Sequence, residues 1–334
     1  MKHEGAVTSL SWIPSEAVVG AMKVPFEVGV THYDDAPPDH IDDLEMLHEE
    51  DRFRFANQLR AWIEVDGAGS IVDMGYSGGG VVGSTIVRKG KRLSHDFAAF
   101  AMPDIQREPE VGDKWARFVQ TAGGRTGVPA PRRVRRPPFV QWRAPLAWTT
   151  LALTLHTDGR VEWKVVGASR FPRHWIYGPD GCLVAKTGMV NFKFWYRRAF
   201  GKETPWGEED SPAHVTAAET ALERMLSIEL MHGVGEPEIR DIKAGAALLR
   251  EGEPGDELML VLDGIVRVDV GGRKVAEYGP GSIHGERAIL EGGRRTATVT
   301  AASPVRVAIV PANRVDPKIL AELREVHRRE EPTS

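Results

Sequence analysis

The sequence predicts a mainly β protein in two parts. Strand-like runs of alternating or β-branched apolar residues recur along most of the chain, and glycine-rich turns separate them at short intervals. Helical periodicity is confined to a stretch beginning at Pro212 and another near the end. At 334 residues the chain is long enough for two domains with a buried core each. We place a β-rich domain at 1–205, a helical linker at 206–234 and a second domain at 235–334.

The first part reads as successive hairpins. Strand patterns at 59–65 and 70–76 flank Asp66-Gly67-Ala68-Gly69, and 81–88 runs into Lys89-Gly90-Lys91. Further on, 149–155 and 161–166 flank His156-Thr157-Asp158-Gly159-Arg160, and 183–186 and 190–196 follow the turn Pro179-Asp180-Gly181. Repeated hairpins predict an antiparallel sandwich or barrel.

Several motifs here fail on context. The glycine-rich run 75–84 lacks a P-loop lysine and leads into β-branched residues, so it reads as a hairpin turn or bulge. His40, Asp42, Asp43, Glu45, His48, Glu49 and Asp51 have metal-ligand chemistry, but such a run reads better as a solvated loop or helix face. The single Cys182 excludes an internal disulfide and reads as a small packed residue at a strand entrance.

From Pro212 to His232 the apolar residues Val215, Ala218, Leu222, Met225 and Leu226 form a helical stripe that Gly233 stops. Beyond it, Val266-Arg267-Val268-Asp269-Val270, Gly271-Gly272 and Lys274-Val275-Ala276-Glu277 read as a hairpin, and 305–310 as a further strand. Near the end, Asp316-Pro317 reads as a helix start, with Ile319, Leu320, Leu323 and Val326 on one face.

The stretch 279–301 carries the most chemistry. A glycine-rich turn running into a short helix offers backbone donors to an anion. Gly285 lets the backbone approach a ligand closely. An ionised Glu286 only accepts hydrogen bonds and suits a hydroxyl donor, whereas Arg295 supplies a planar charged fork for two phosphate oxygens. The pattern Thr296-Ala297-Thr298-Val299 continues as a strand that holds the arginine on a rigid element.

These residues resemble the phosphate-binding cassette of cyclic nucleotide-binding domains. The similarity extends upstream to Gly252-Glu253-Pro254-Gly255-Asp256-Glu257 and the strand 258–264. It implies an eight-stranded jelly roll with flanking helices over the last third of the chain. It further implies a ligand site at Gly285, Glu286, Arg287, Ala288, Arg295, Thr296 and Ala297, with Glu286 on the ribose and Arg295 on the phosphate. The implied ligand is cAMP ahead of cGMP, with no cofactor. The family commonly has an aromatic or aliphatic residue at His284, an aliphatic one at Arg287 and proline at Arg294, so these departures bear on affinity and base preference. His284 reads as a packed or exposed side chain and Arg294 as a solvated neighbour. Thr296 stands where some relatives contact the ligand with a hydroxyl.

The short stretch after 310 leaves no room for the DNA-reading module that follows this domain in related transcription factors. The absence of an 18-residue apolar run and of a signal sequence predicts a cytoplasmic protein with no membrane span. Lys plus Arg against Asp plus Glu is 12 to 20 over 1–124, 15 to 4 over 125–205 and 16 to 23 over 206–334. The basic middle includes Arg132, Arg133, Arg135 and Arg136 among prolines, which favours an extended, exposed segment. Aromatic residues interleave with cations at 171–175 and 192–198, as in nucleic-acid binders, but docking of the basic segment on the protein's own acidic regions is the favoured reading.

The expectation is a regulatory protein whose C-terminal domain binds a cyclic nucleotide and modulates the N-terminal domain. A homodimer or another protein partner stays open. The alternatives are a cAMP-regulated enzyme with its active site in 1–205, for which no convergent acid, base and nucleophile spacing is visible, and an interaction scaffold with an inactive cassette.

Overall fold

The computed structural model describes residues 1–14, 23–24, 33–83, 85–89, 93–97, 100–125, 130–133, 137, 139–187, 199, 204–207, 210–211, 213, 215–218, 237–291 and 293–315. The chain divides into two compact units, Met1–His214 and Val215–Ser334.

The N-terminal unit contains β1 (Lys2–Trp12), α1 (Leu44–Glu49), β2 (Phe55–Val65), β3 (Ile71–Tyr76), β4 (Gly79–Val82), β5 (Trp115–Arg125), β6 (Leu146–His156), β7 (Val161–Ala168), β8 (Arg173–Tyr177) and β9 (Leu183–Thr187). One antiparallel sheet runs β9-β8-β1-β2-β3, and β4 pairs with the other half of β2. The second runs β7-β6-β5, with the short strands Phe100–Ala101, Ile105–Gln106 and Glu110–Gly112 along the far side of β5. The sheets stay open and face one another as a sandwich, so of the two expected forms the barrel does not occur. Along the glycine-rich run, β3 and β4 keep one register on β2, and Ser77 N and Gly83 N donate to Arg60 O and Arg54 O in the same register, so 75–83 is neither the expected hairpin turn nor a bulge, and it is not a phosphate loop.

Side chains from the two sheets meet in a polar seam. Ser9 Oγ lies 2.6 Å from Thr149 Oγ1, the Asn57 amide donates to Thr149 O at 2.9 Å, and Gln120 Nε2 donates to Asn57 Oδ1 at 2.8 Å. Close by in sequence, Ser11 Oγ is 2.6 Å from His174 Nδ1, whose ring Nε2 donates to Ser169 O at 2.9 Å. Burial drives the His174 pKa down to about 4, so the ring is neutral near pH 7. On the opposite face of the first sheet, Leu10, Trp12, Ala56, Trp175 and Tyr177 pack with Phe53 and with Leu47 of α1. Asp43 caps α1 by accepting from Glu45 N and Met46 N. The 40–51 run is thus a turn and a capped helix, and among the described residues no three His, Cys, Asp or Glu side chains are grouped to hold a metal.

Both long central strands β1 and β5 lay hidden in the sequence. Their buried positions include Ser9, Ser11, Gln120 and Thr121, and β5 ends in Gly123-Gly124, so the two-residue apolar alternation is broken where the seam forms. One further expectation changes. Cys182 is exposed instead of packed, in the turn where Asp180 Oδ1 accepts from Cys182 N. The Pro-Arg segment is extended over Ala130–Arg133, where it pairs as a ribbon with Val140–Arg143. Phe171, Arg173, His174 and Trp175 are buried, with Lys186 Nζ 4.1 Å from the Trp175 ring centroid, so 171–175 is core and not a nucleic-acid face. The expected strand 190–196 lies outside the described residues.

The helix expected from Pro212 does not run through Val215–Ala217, which is a short strand; Val215 and Thr216 are β-branched and favour extended backbone. Residues 219–236 and 316–334, where the rest of that helix and the terminal one were expected, lie outside the described residues.

The C-terminal unit contains β10 (Glu238–Ile242), β11 (Ala247–Leu249), β12 (Glu257–Asp263), β13 (Val266–Val270), β14 (Arg273–Tyr278), β15 (Ile283–His284), α2 (Glu286–Glu291), β16 (Thr298–Ala301) and β17 (Val305–Pro311). Its strands form two four-stranded antiparallel sheets, β10-β17-β12-β15 and β11-β16-β13-β14, which is the expected eight-stranded jelly roll. Met259, Val261, Val299, Val307 and Ile309 fill the space between the sheets. Leu258, Leu260 and Leu262 point the other way, onto Ile283, Ala308 and Val310, with Ile289 of α2 against them. Being buried on both faces, β12 reads as a continuous apolar run. The β13–β14 hairpin turns at Gly271 and Gly272, whose φ values of 55° and 74° fit a two-residue type I′ turn.

One ion pair anchors the N-terminal unit. Asp34 and Arg54 are both buried; Arg54 Nε donates to Asp34 Oδ2 at 3.0 Å, and Ile13 N donates to the same oxygen at 2.7 Å. Asp34→Ala leaves the buried guanidinium only the more distant Asp51 carboxylate, 3.6 Å from Nη1, and denaturant titration is expected to show a loss of about 3 kcal/mol.

Candidate functional site

The stretch 279–301 forms one continuous device: β15 enters, Gly285 turns the chain, α2 follows, and a turn returns it to β16. Gly285 has φ +97°, a conformation closed to ordinary side chains. A Cβ there would sit 2.4 Å from Arg295 Nη1 and 2.7 Å from Glu257 O.

Arg295 is 6% exposed. Its Nη1 donates to Glu257 O at 2.9 Å and to Gly285 O at 3.1 Å. Among the described residues, Nε and Nη2 make no hydrogen bond and no carboxylate is within ion-pair distance. Burial lowers the guanidinium pKa from its ordinary value, and the charges of Glu257, Asp256 and Glu286 pull it back up. The arginine is therefore held by backbone carbonyls on one nitrogen, with its Nε–Nη2 edge left for a charge-assisted, two-pronged contact.

Around it, Glu286 is the first residue of α2, where negative charge is favourable. Arg287, Thr296 and Ala297 are partly exposed, while Ala288 is packed at 1% exposure. The fold brings Gly285, Glu286 and Arg295 together, and Ala288 serves the packing of α2. Arg294 is exposed and its Nη1 donates to Gly252 O at 2.8 Å, bracing the loop beside the site. His284 is buried, its Nε2 3.0 Å from Ser282 Oγ and its ring edge-on to Tyr278 at 5.4 Å.

The loop before β12 is the part of the site that sequence reasoning left as mere upstream similarity. Gly252 N donates to Arg295 O at 2.8 Å, Arg295 N to Glu253 O at 2.8 Å, and Gly255 N to Gly293 O at 3.1 Å. Residues 252–255 are thereby laced to 293–295. The signal was present in Gly252-Glu253-Pro254-Gly255, but the loop lies some 40 residues from Arg295 and meets it only in the folded sandwich.

Residues 239–320 match the family model described as the cyclic nucleotide-binding domain. The C-terminal unit carries a cyclic nucleotide-binding domain. The chain is similar to a cyclic nucleotide-gated potassium channel of Mesorhizobium japonicum, at 32% identity over 125 residues, 36% of this chain and 35% of the channel. A channel of the same description from Rhizobium etli is 34% identical over 126 residues, 37% of this chain and 35% of the channel. Similarity to the cGMP-dependent protein kinase of Toxoplasma gondii is 36% over 63 residues, 19% of this chain and 6% of the kinase. The solved catabolite activator protein of Thermus thermophilus is 24% identical, with a TM-score of 0.27, over 33% of this chain and 54% of that one. The chain thus matches about a third of the length of the two channels. Among the described residues no helix is long and apolar enough to cross a membrane.

His284 is a buried histidine packed against Tyr278 and Ser282. Burial pushes the His284 pKa down to about 4, below the unfolded value of 6.5. The unfolded chain therefore binds the proton more readily: the neutral ring's contribution is complete above about pH 6.5 and is lost as pH falls towards 4. The expected loss is roughly 2 kcal/mol, read as the difference between wild type and His284→Leu in denaturant titrations at pH 7 and pH 4.5.

Proposed function

We propose that the cyclic nucleotide-binding domain takes cAMP ahead of cGMP and that its occupancy modulates the N-terminal sandwich. The observation that carries the reading is Arg295, a buried cation anchored through Nη1 to two carbonyls with its Nε–Nη2 edge uncommitted among the described residues. A cyclic phosphate fits that edge, and the carboxylate of Glu286 suits the ribose 2′-hydroxyl as acceptor. Gly285 supplies close backbone approach, Arg287, Thr296 and Ala297 complete the proposed lining, and Ala288, whose side chain is packed, contributes only its backbone N–H.

Phosphate and ribose are common to both nucleotides, so the base decides between them. Guanine carries an exocyclic carbonyl and amine that need partners when buried. Thr296, the partly exposed hydroxyl next to Arg295, is the observation that favours cGMP as a second reading.

In this reading the protein is a regulator and not a catalyst. Ser11 and His174 form a close serine–histidine pair in the N-terminal unit, but both are 0% exposed, which suits a structural hydrogen bond and not attack on a substrate.

Calorimetric titration of the full chain with cAMP and with cGMP tests the site. Arg295→Ala is expected to weaken binding by about 1.5–3 kcal/mol or more, with a smaller loss for Glu286→Ala. Saturable binding untouched by either substitution overturns the assignment. All nine tryptophans lie at or before Trp206, within the N-terminal unit. A change in their emission on adding cAMP is expected if the two units are coupled, and unchanged emission at saturation counts against the proposed modulation.

A further inference from the structure

Two short ribbons of the N-terminal unit belong to neither sandwich sheet. In the first, Thr85–Lys89 pairs antiparallel with Leu93–Phe97; in the second, Ala130–Arg133 pairs with Val140–Arg143. Both are rich in cations. Residues 85–97 contain four Lys and Arg against one Asp, and residues 130–143 contain five Arg and no acid, although 1–124 as a whole has 12 Lys and Arg against 20 Asp and Glu. In each ribbon two cations hold the last paired positions before the turn: Arg88 and Lys89 opposite Ser94 and Leu93, Arg132 and Arg133 opposite Gln141 and Val140.

The fold roots both ribbons at one end of the sandwich. The run from β3 into β4 climbs alongside β5: Val119 N donates to Tyr76 Oη at 3.0 Å, and a Cβ on Gly80 would lie 2.8 Å from Ala122 Cβ. Val82, which leads towards the first ribbon, is therefore level with the Arg125 end of β5. The chain comes back from that ribbon as Phe100–Ala101, paired with Arg125 and Gly124. The second ribbon is inserted between Arg125 and Leu146, which face one another across β5 and β6.

Exposed apolar side chains accompany the charge at this end. Among the described residues the exposed phenylalanines are Phe100, at 63%, and Phe139, at 58%, and Val140 beside the latter is 45% exposed. Phe100 lies at the root of the ribbons, and Phe139 just beyond the Arg133–Val140 pair at the tip of the second. Phe139 has φ +62°, a conformation that asparagine or glycine holds at less cost, so the ring and not the backbone recommends phenylalanine there. Single exposed apolar residues are ordinary, but an aromatic and an aliphatic side chain set among clustered cations suit a bilayer interface: the cations meet anionic headgroups and the apolar groups enter beneath them. A nucleic acid would use the ring for stacking and leave Val140 and the exposed Pro137 without a role.

We propose that this end of the N-terminal sandwich docks on an anionic bilayer surface, the cations of the two ribbons meeting lipid phosphate and carboxylate groups and Phe139 and Val140 entering the boundary between headgroups and acyl chains. Charge complementarity selects the partner: nine Lys and Arg against one Asp over the two ribbons call for an extended, multivalent anionic surface, and the apolar tip calls for a non-aqueous phase below it. The contact is peripheral and needs no spanning segment. The partner of the basic segment is then a membrane rather than the protein's own acidic regions. Nothing in this depends on the reading of Arg295.

The test is co-sedimentation of the full chain with phosphatidylcholine vesicles, with and without phosphatidylserine. Wild type is expected to bind the phosphatidylserine vesicles roughly tenfold or more tightly than the neutral ones, and less tightly as salt is raised. Arg132→Glu with Arg133→Glu is expected to weaken that binding by roughly tenfold or more. Lys114→Glu with Lys164→Glu, the same change in net charge at exposed lysines away from this end, is expected to change it by less than about twofold. Phe139→Asn, which tolerates the positive φ, is expected to weaken it about threefold or more. Should the double arginine variant fail to fold, wild type on the two vesicle types and Phe139→Asn decide. Equal binding to both vesicle types, equal losses from the two double variants, or no loss from Phe139→Asn overturns the proposal. So does binding of a single-stranded oligonucleotide without binding of phosphatidylserine vesicles, which would mark a nucleic-acid surface instead.

Discussion

A buried guanidinium is the constraint on which the C-terminal unit turns. Taking a cation out of water is costly unless polar groups replace the lost solvent. Here the carbonyls of Glu257 and Gly285 take one nitrogen of Arg295, and the charges of Glu257, Asp256 and Glu286 stabilise the cation from a distance. Holding those groups in place requires the turn before α2, the start of β12 and the loop 252–255 to converge on one side chain. Since β12 belongs to one sheet and Arg295 leads into β16 of the other, the same contacts fasten the two sheets at this end of the sandwich. Binding geometry and fold stability are therefore built from the same hydrogen bonds.

The two units fill their sandwiches differently. In the C-terminal unit the space between sheets is aliphatic, and β12 is covered on both faces. The N-terminal unit places Ser9, Asn57, Gln120 and Thr149 between its sheets and satisfies them against one another. A satisfied network of this kind adds little net stability, yet it is intolerant of a register shift, because a slip of one residue would strand several buried polar groups. His174 joins this logic as a neutral ring accepting from Ser11 and donating to Ser169.

The same difference explains which elements were legible. The β13–β14 hairpin, the strands around Asp66–Gly69 and those around 156–160 were readable because apolar alternation and turn glycines coincide there. β1 and β5 were not, since their inward positions carry serine, glutamine and threonine, which a hydrophobic pattern scores as surface. The expected helix from Pro212 had a plausible stripe, but Val215-Thr216 opens it with β-branched residues and forms a strand instead. Within the site, Glu286, Gly285 and Arg295 were visible because they lie in one short segment. The loop 252–255 was not visible as part of it, because its relation to Arg295 is a set of contacts and not a spacing.

What the sequence determined by itself is local: a charged fork at Arg295, an acceptor at Glu286 and a glycine where only glycine turns, all within a span short enough for chain connectivity to keep them together. The tertiary structure alone decided what surrounds them. It packed His284 and Ala288 inward, gave Arg294 to the Gly252 carbonyl, and laced the loop 252–255 to 293–295. Those outcomes depend on pairing between strands far apart in sequence, where the cost of closing the chain is repaid only by the completed sandwich.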